Sequence, residues 1–160
     1  MHTDLWNYAL ALYARPGVEA ACLSLQAQGA DVCLLLCAAW LEARQVAVSA
    51  QRVEALQALA RPWQREVIEP LRRLRQQWRA QAATDPQLAA LRAQVKGLEL
   101  RAERDLLERL EALAGRWPGG ADGPGQAWLA RLMPEPTTAH DALQQLRVAA
   151  RGLQELKDGD

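Results

Sequence analysis

Cys33 and Cys37 stand four residues apart, a spacing that puts both thiols on one face of a helix. Two thiolates so placed could hold a metal ion, and Cys22 in the preceding segment could be a third ligand. A closed tetrahedral site needs four ligands, however, and the two histidines, His2 and His140, are remote in sequence. Unpaired cysteine is among the residue types most often buried, so the three thiols read as core packing and no metal ligand is assigned.

Carboxylates are the second source of chemistry. Glu66 and Glu69 lie close together, and Glu99, Glu103, Asp105, Glu108 and Glu111 recur along a later segment. Paired carboxylates serve acid–base catalysis or Mg²⁺ binding. The aspartate-rich pairs of helical prenyl-transferring enzymes are missing, and arginines accompany the later acids, which describes a solvated, ion-paired face. An enzyme of that kind would need a sizeable cavity with convergent polar groups. Ser24, Ser49, His2 and His140 fall on unrelated segments and build no nucleophile–base pair. Gly119-Gly120-Ala121-Asp122-Gly123-Pro124-Gly125 follows no strand and reads as a hinge, not a phosphate loop. No catalytic residue and no cofactor is assigned, and the chain reads as non-enzymatic.

Arginines give the most pointed polar pattern. On one continuous helix Arg61, Arg65, Arg72, Arg75 and Arg79 fall within a stripe about 80° wide, with Trp63, Val67, Leu71, Leu74 and Trp78 opposite. An ordinary solvated face is the plainer reading. The sharper one is an anion-binding face for phosphate, nucleic acid or an acidic partner. Pro70 interrupts the segment and either kinks the helix or splits it.

The elements that carry these residues are all helical in pattern, with no strand-like alternation. Val32 to Leu41 contains no charged or strongly polar residue, so a helix over about 31–44 is apolar on every face and must be covered on every face. It is the expected centre of a bundle. Thr3 or Asp4 can cap a helix before it, Arg15-Pro16-Gly17 ends that helix, and a second runs from about Val18 to Gln28 before Gly29. Ser49 can cap a fourth through Ala60, and Pro62 suits the start of the next segment, which extends to Ala83. Thr84-Asp85-Pro86 opens a long helix over about 86–114, roughly 43 Å at 1.5 Å per residue. Its apolar seam, Leu91, Val95, Leu98, Leu106, Leu110 and Leu113, follows a heptad with one stutter and could capture a partner or a second copy. Residues 118–125 form a flexible joint, a short helix covers 126–133, and a return helix follows a cap at Thr138. Trp117 and Trp128 bracket the joint and are the tryptophans least committed to the core.

The expected architecture is an all-α bundle around the helix at 31–44. Residues 1–83 form a compact core. Residues 84–160 supply the long helix, the joint and the C-terminal helices, packed with it as one domain. Formal net charge is zero, so nothing draws the whole chain toward nucleic acid or acidic membrane. The longest apolar run is ten residues, against about 20 for a membrane span. An odd count of three cysteines and an N-terminus without a basic signal region point to the cytoplasm.

One resemblance stands out. Leu5-Trp6-Asn7-Tyr8-Ala9-Leu10, Tyr13, Pro16-Gly17-Val18-Glu19, Ala21-Cys22-Leu23, Leu25-Gln26 and Asp31-Val32-Cys33-Leu34-Leu35-Leu36 form a signature, extended by Trp40-Leu41 and Arg61-Pro62-Trp63. Over about residues 4–80 the chain resembles an uncharacterised proteobacterial family of small all-helical proteins of unknown function. That resemblance implies a bacterial helical protein and carries over no activity, ligand or site residue. Function is expected to be protein interaction or regulation, through a protein partner or self-association. Binding of nucleic acid or another anion by the arginine stripe is the alternative.

Overall fold

The computed structural model describes residues 4–121, 127–133 and 140–159. The described residues form helices α1 (Leu5–Tyr13), α2 (Val18–Ala27), α3 (Val32–Ala43) and α4 (Ala50–Trp63), then a π-helical turn (Gln64–Ile68). Helices α5 (Glu69–Gln77), α6 (Arg79–Ala82), α7 (Pro86–Ala114), α8 (Trp128–Leu132) and α9 (His140–Asp158) follow. Asp4, Asp31, Ser49 and Asp85 cap their helices by accepting from Asn7, Leu34, Arg52 and the Gln87–Leu88 pair. Each satisfies backbone donors that the first turn leaves open. Gly29 ends the second helix with φ 90°, and Ala30 N–H returns to Leu25 O.

Helix α3 is the centre. Every residue from Cys33 to Leu41 is buried, with α1, α7, α8 and α9 packed around it. Helix α9 closes the bundle mainly on α2. The core thus draws on both halves of the sequence: Leu106, Leu110, Trp128, Leu129 and Leu146 are fully buried beside Leu5, Leu35 and Leu56.

Two expectations change here. Pro62 lies inside α4 and starts no new helix. Trp128 is fully buried, its indole N–H donates to Val46 O at 2.8 Å, and Trp117 stacks on it at 5.8 Å. The first residues of the glycine-rich joint are held in place as well. Gly120 and Ala121 donate to the carbonyls of Arg44 and Gln45, and a Cβ on Gly119 would stand 2.5 Å from Arg44 O. Residues 122–125 of that joint, Gln126 and Thr138 lie outside the described residues.

Helix α7 spans 29 residues, and its two halves have different surroundings. Its C-terminal half lines the core. Its N-terminal half runs back along α5 and α6, making a two-helix arm in which none of residues 71–94 is buried.

Candidate functional site

The arm begins at the π turn. Proline has no N–H, and in an α-helix the ring of Pro70 would press on the carbonyl of Glu66. The chain widens just ahead of it: Glu69 N–H reaches back to Gln64 O, a bond spanning five residues. Backbone angles at Gln64, Ile68 and Glu69 stay in the right-handed helical region, so α4 passes through the turn into α5 without a break. The extra residue rotates everything beyond it by about 100°. The five arginines therefore do not form one stripe: Arg61, Arg65 and Arg72 reach a common cavity, while Arg75 and Arg79 lie outside it.

The rotation brings Arg72 and Arg75 onto α7. Arg75 Nε donates to Glu99 Oε2 at 2.6 Å, Arg72 Nε to Glu99 Oε1 at 3.1 Å, and Arg72 Nη2 to Glu103 Oε1 at 3.2 Å. Gln26 Oε1, in the orientation that satisfies its amide, accepts from Arg72 Nε and Nη1. Glu99 is 5 % exposed and is the buried charged residue among those described. Burial drives its carboxyl up, but the bonds and charges of Arg75 and Arg72 outweigh burial and hold it below the usual range. Arg92 Nε donates to Arg75 O and adds a second tie across the arm.

Beyond these ties the arm is strongly basic. Residues 71–98 carry Arg73, Arg79, Arg92 and Lys96, besides the paired Arg72 and Arg75, against Asp85 alone: a formal net of +5 that is +3 once the two arginines engaged with Glu99 are set aside. Arg73, Arg79 and Lys96 are exposed and have no ion pair among the described residues. Leu91 and Leu98, seven residues apart on one side of α7, are 52 % and 56 % exposed. Of the other seam positions, Val95, Leu106 and Leu110 are buried and Leu113 is half-buried against the core.

A cavity of about 630 Å³ opens where the arm leaves the body, beside the first turn of α3. Arg61, Arg65 and Arg72 line it with Asp31, Gln64 and Glu103, alongside apolar walls from α1, α7 and α8. Asp31 has both a capping duty and a bond from Gln64 Nε2 at 2.7 Å. Burial raises both its carboxyl and that of Glu103. This volume falls in the range of small-molecule pockets. Arg79 lies elsewhere, on the exposed surface of α6. The three cysteines are free and buried; burial pushes the Cys22 thiol up to about 11, and Cys33 and Cys37 are raised as well. Thiols so protonated are packing groups. Among the described residues no group of three or more His, Cys, Asp or Glu could hold a metal ion, and no helix is long and apolar enough to cross a membrane.

A family model described as "Protein of unknown function (DUF2390)" matches residues 4–110. The chain belongs to this family. The DUF2390 match includes α3, the entire arm and the walls of the cavity at the head of α3 other than Leu132 and Met133, and ends within α7. No curated protein and no solved structure matches the chain.

Sequence reasoning identified the arginines but not their partners. Glu99 was visible only as one acid among several on a long helix. The signal that singles it out is its apolar setting, one residue after Leu98 and three before Ala102, on a stretch that otherwise alternates with arginine.

Proposed function

We propose that this protein is a non-enzymatic interaction protein, and that its docking element is the two-helix arm at residues 71–98. The observation that carries this reading is the charge of the arm: beyond the two arginines held by Glu99, a net of +3 on a segment with no buried residue before Val95, in a chain of zero net charge. A surface of that kind steers an acidic partner toward it and fixes its register. The partner is an acidic protein surface. Leu91 and Leu98 favour protein over nucleic acid, because exposed leucines flanked by cations suit a mixed interface better than a phosphate backbone. Arg72 and Arg75 are engaged with Glu99 and serve the arm's rigidity, leaving Arg73, Arg79 and Lys96 to meet the partner. A cytoplasmic setting accompanies this reading, supported by three unpaired thiols.

The test is affinity capture from a bacterial lysate with and without nuclease, using the wild type and Leu98→Glu. A nuclease-resistant protein band that the variant loses supports the proposal. Capture that vanishes with nuclease replaces it with nucleic-acid binding.

A further inference from the structure

A second cavity lies at the other end of α3. Its volume is about 650 Å³, and its polar walls are Tyr8, Glu42, Arg44, Gln45, Arg147 and Arg151. Two donors there are buried without a partner: the hydroxyl of Tyr8, a residue 3 % exposed, and Nη1 of Arg44. Buried donors are nearly always paired, so two orphans on one cavity indicate an acceptor that belongs there. The guanidinium groups of Arg147 and Arg151, one turn apart on α9, make no hydrogen bond or contact ion pair with any described residue.

The remaining surroundings carry charge of both signs. Lys157 sits 5.4 Å from the centre of the Tyr8 ring, and the Arg44 guanidinium is fixed over Trp40 at 4.5 Å. Of the two acids, Asp158 accepts from Gln154 and Glu42 accepts from Leu129 N–H. Burial raises the Glu42 carboxyl, against the pull of that bond and of Arg147 and Arg151. Burial also raises the Tyr8 hydroxyl well above its ordinary value, so it remains a donor. The carbonyls of Arg44 and Gln45 at the end of α3 already accept from Gly120 and Ala121. Gln45 itself holds φ 54°, a left-handed conformation costly for a side-chain-bearing residue and often found at functional sites.

We infer that this cavity binds a small molecule bearing a phosphate or comparable tetrahedral oxyanion, held by Arg44, Arg147, Arg151 and the Tyr8 hydroxyl. Guanidinium forks and a phenol offer the several convergent donors such an oxyanion accepts. The volume exceeds that of the anion alone, and Ala39, Ala43, Ala127 and Ala150 leave room for an attached body. The ligand is therefore a phosphate ester, not the free ion. This site is separate from the arm and does not depend on the arm's role.

Calorimetric titration of the full chain with inorganic phosphate and glycerol phosphate tests the assignment, with glycerol as the neutral control. Saturable binding of both anions is expected, with glycerol phosphate the tighter. Binding should weaken at least about tenfold in the Arg147→Gln/Arg151→Gln variant and several-fold in Tyr8→Phe. It should be unchanged in Arg73→Gln/Arg79→Gln, which alters only the arm. Circular dichroism checks each fold, and if the double arginine variant does not fold, Tyr8→Phe decides. Absence of saturable binding overturns the assignment. So does binding that survives in both cavity variants or is lost with the arm variant.

Discussion

Arg75 grips Glu99 through two bonds, Nε to Oε2 at 2.6 Å and Nη2 to Oε1 at 3.2 Å, and so pins α5 to α7 at a buried carboxylate. Arg72 holds the same carboxylate from a neighbouring position and extends to Glu103 and Gln26 on the body. The π turn ahead of Pro70 makes this possible, because it sets the phase at which α5 meets α7. A cationic arm needs such an anchor: two of its own positive charges are neutralised at its root while the others remain outward.

Replacing Glu99 by Gln keeps the shape and removes the charge. Arg72 and Arg75 are then left partly buried without a counter-ion. Loss of one partner from a buried pair costs about 3–5 kcal/mol, and the 18 % and 23 % exposure of the two arginine side chains lowers the expected loss to about 2–3 kcal/mol. Urea denaturation measures it, and hydrogen exchange should place the added mobility in residues 71–98.

The same pair gives a pH dependence with a definite sign. The folded Glu99 carboxyl titrates below its unfolded value of about 4.3, so its contribution is present above that pH and fades as pH falls through the folded value. Asp31, Glu42 and Glu103 are raised, and their terms run the other way, favouring the folded state as they take up protons. The gap in urea midpoint between wild type and Glu99→Gln should therefore shrink from about pH 7 to about pH 3.5, whatever the overall trend of either protein. A constant gap would show that the charge on Glu99 contributes nothing.

Trp128 ties the C-terminal half to the core. It is fully buried, donates to Val46 O, and stacks on Trp117, whose ring also lies 5.1 Å from the Arg52 guanidinium. Trp128→Ala should cost about 3–5 kcal/mol and shift the fluorescence of Trp117 toward that of a solvated indole. An unchanged melting temperature would contradict the packing described.

At Gln45 a side chain occupies the left-handed position that glycine usually fills at a helix end, with Val46 N–H returning to Leu41 O. Gln45→Gly should stabilise the protein by about 1 kcal/mol, measured as a rise in urea midpoint at constant slope.

Much of the fold is legible in the residues themselves. Val32 to Leu41 permits only a central helix, and Asp85-Pro86 opens α7 where a cap followed by proline would. Periodicity says which residues share a face but not what covers that face. Leu106 and Leu110 meet the core while Leu91 and Leu98, on the same seam, do not, because α7 leaves the body midway; Val95 is buried but stands apart from that core cluster. Pro62 and Pro70 look like breaks, yet the first sits within α4 and the second behind a widened turn, since surrounding packing overrides local preference. The arm's charge is written in residues 71–98 but acquires meaning only once that stretch is known to stand clear of the core. Tyr8, Arg44, Arg147 and Arg151 come from three distant segments, and no spacing could have joined them.

The most direct test of the arm's role is capture from nuclease-treated lysate by wild type and by an Arg73→Glu/Arg79→Glu/Lys96→Glu variant. All three side chains are exposed, so the variant should fold as the wild type does. The arm's role predicts an acidic protein retained by the wild type at low salt, released as salt rises, and absent from the variant. Equal capture of the same protein by both would contradict it.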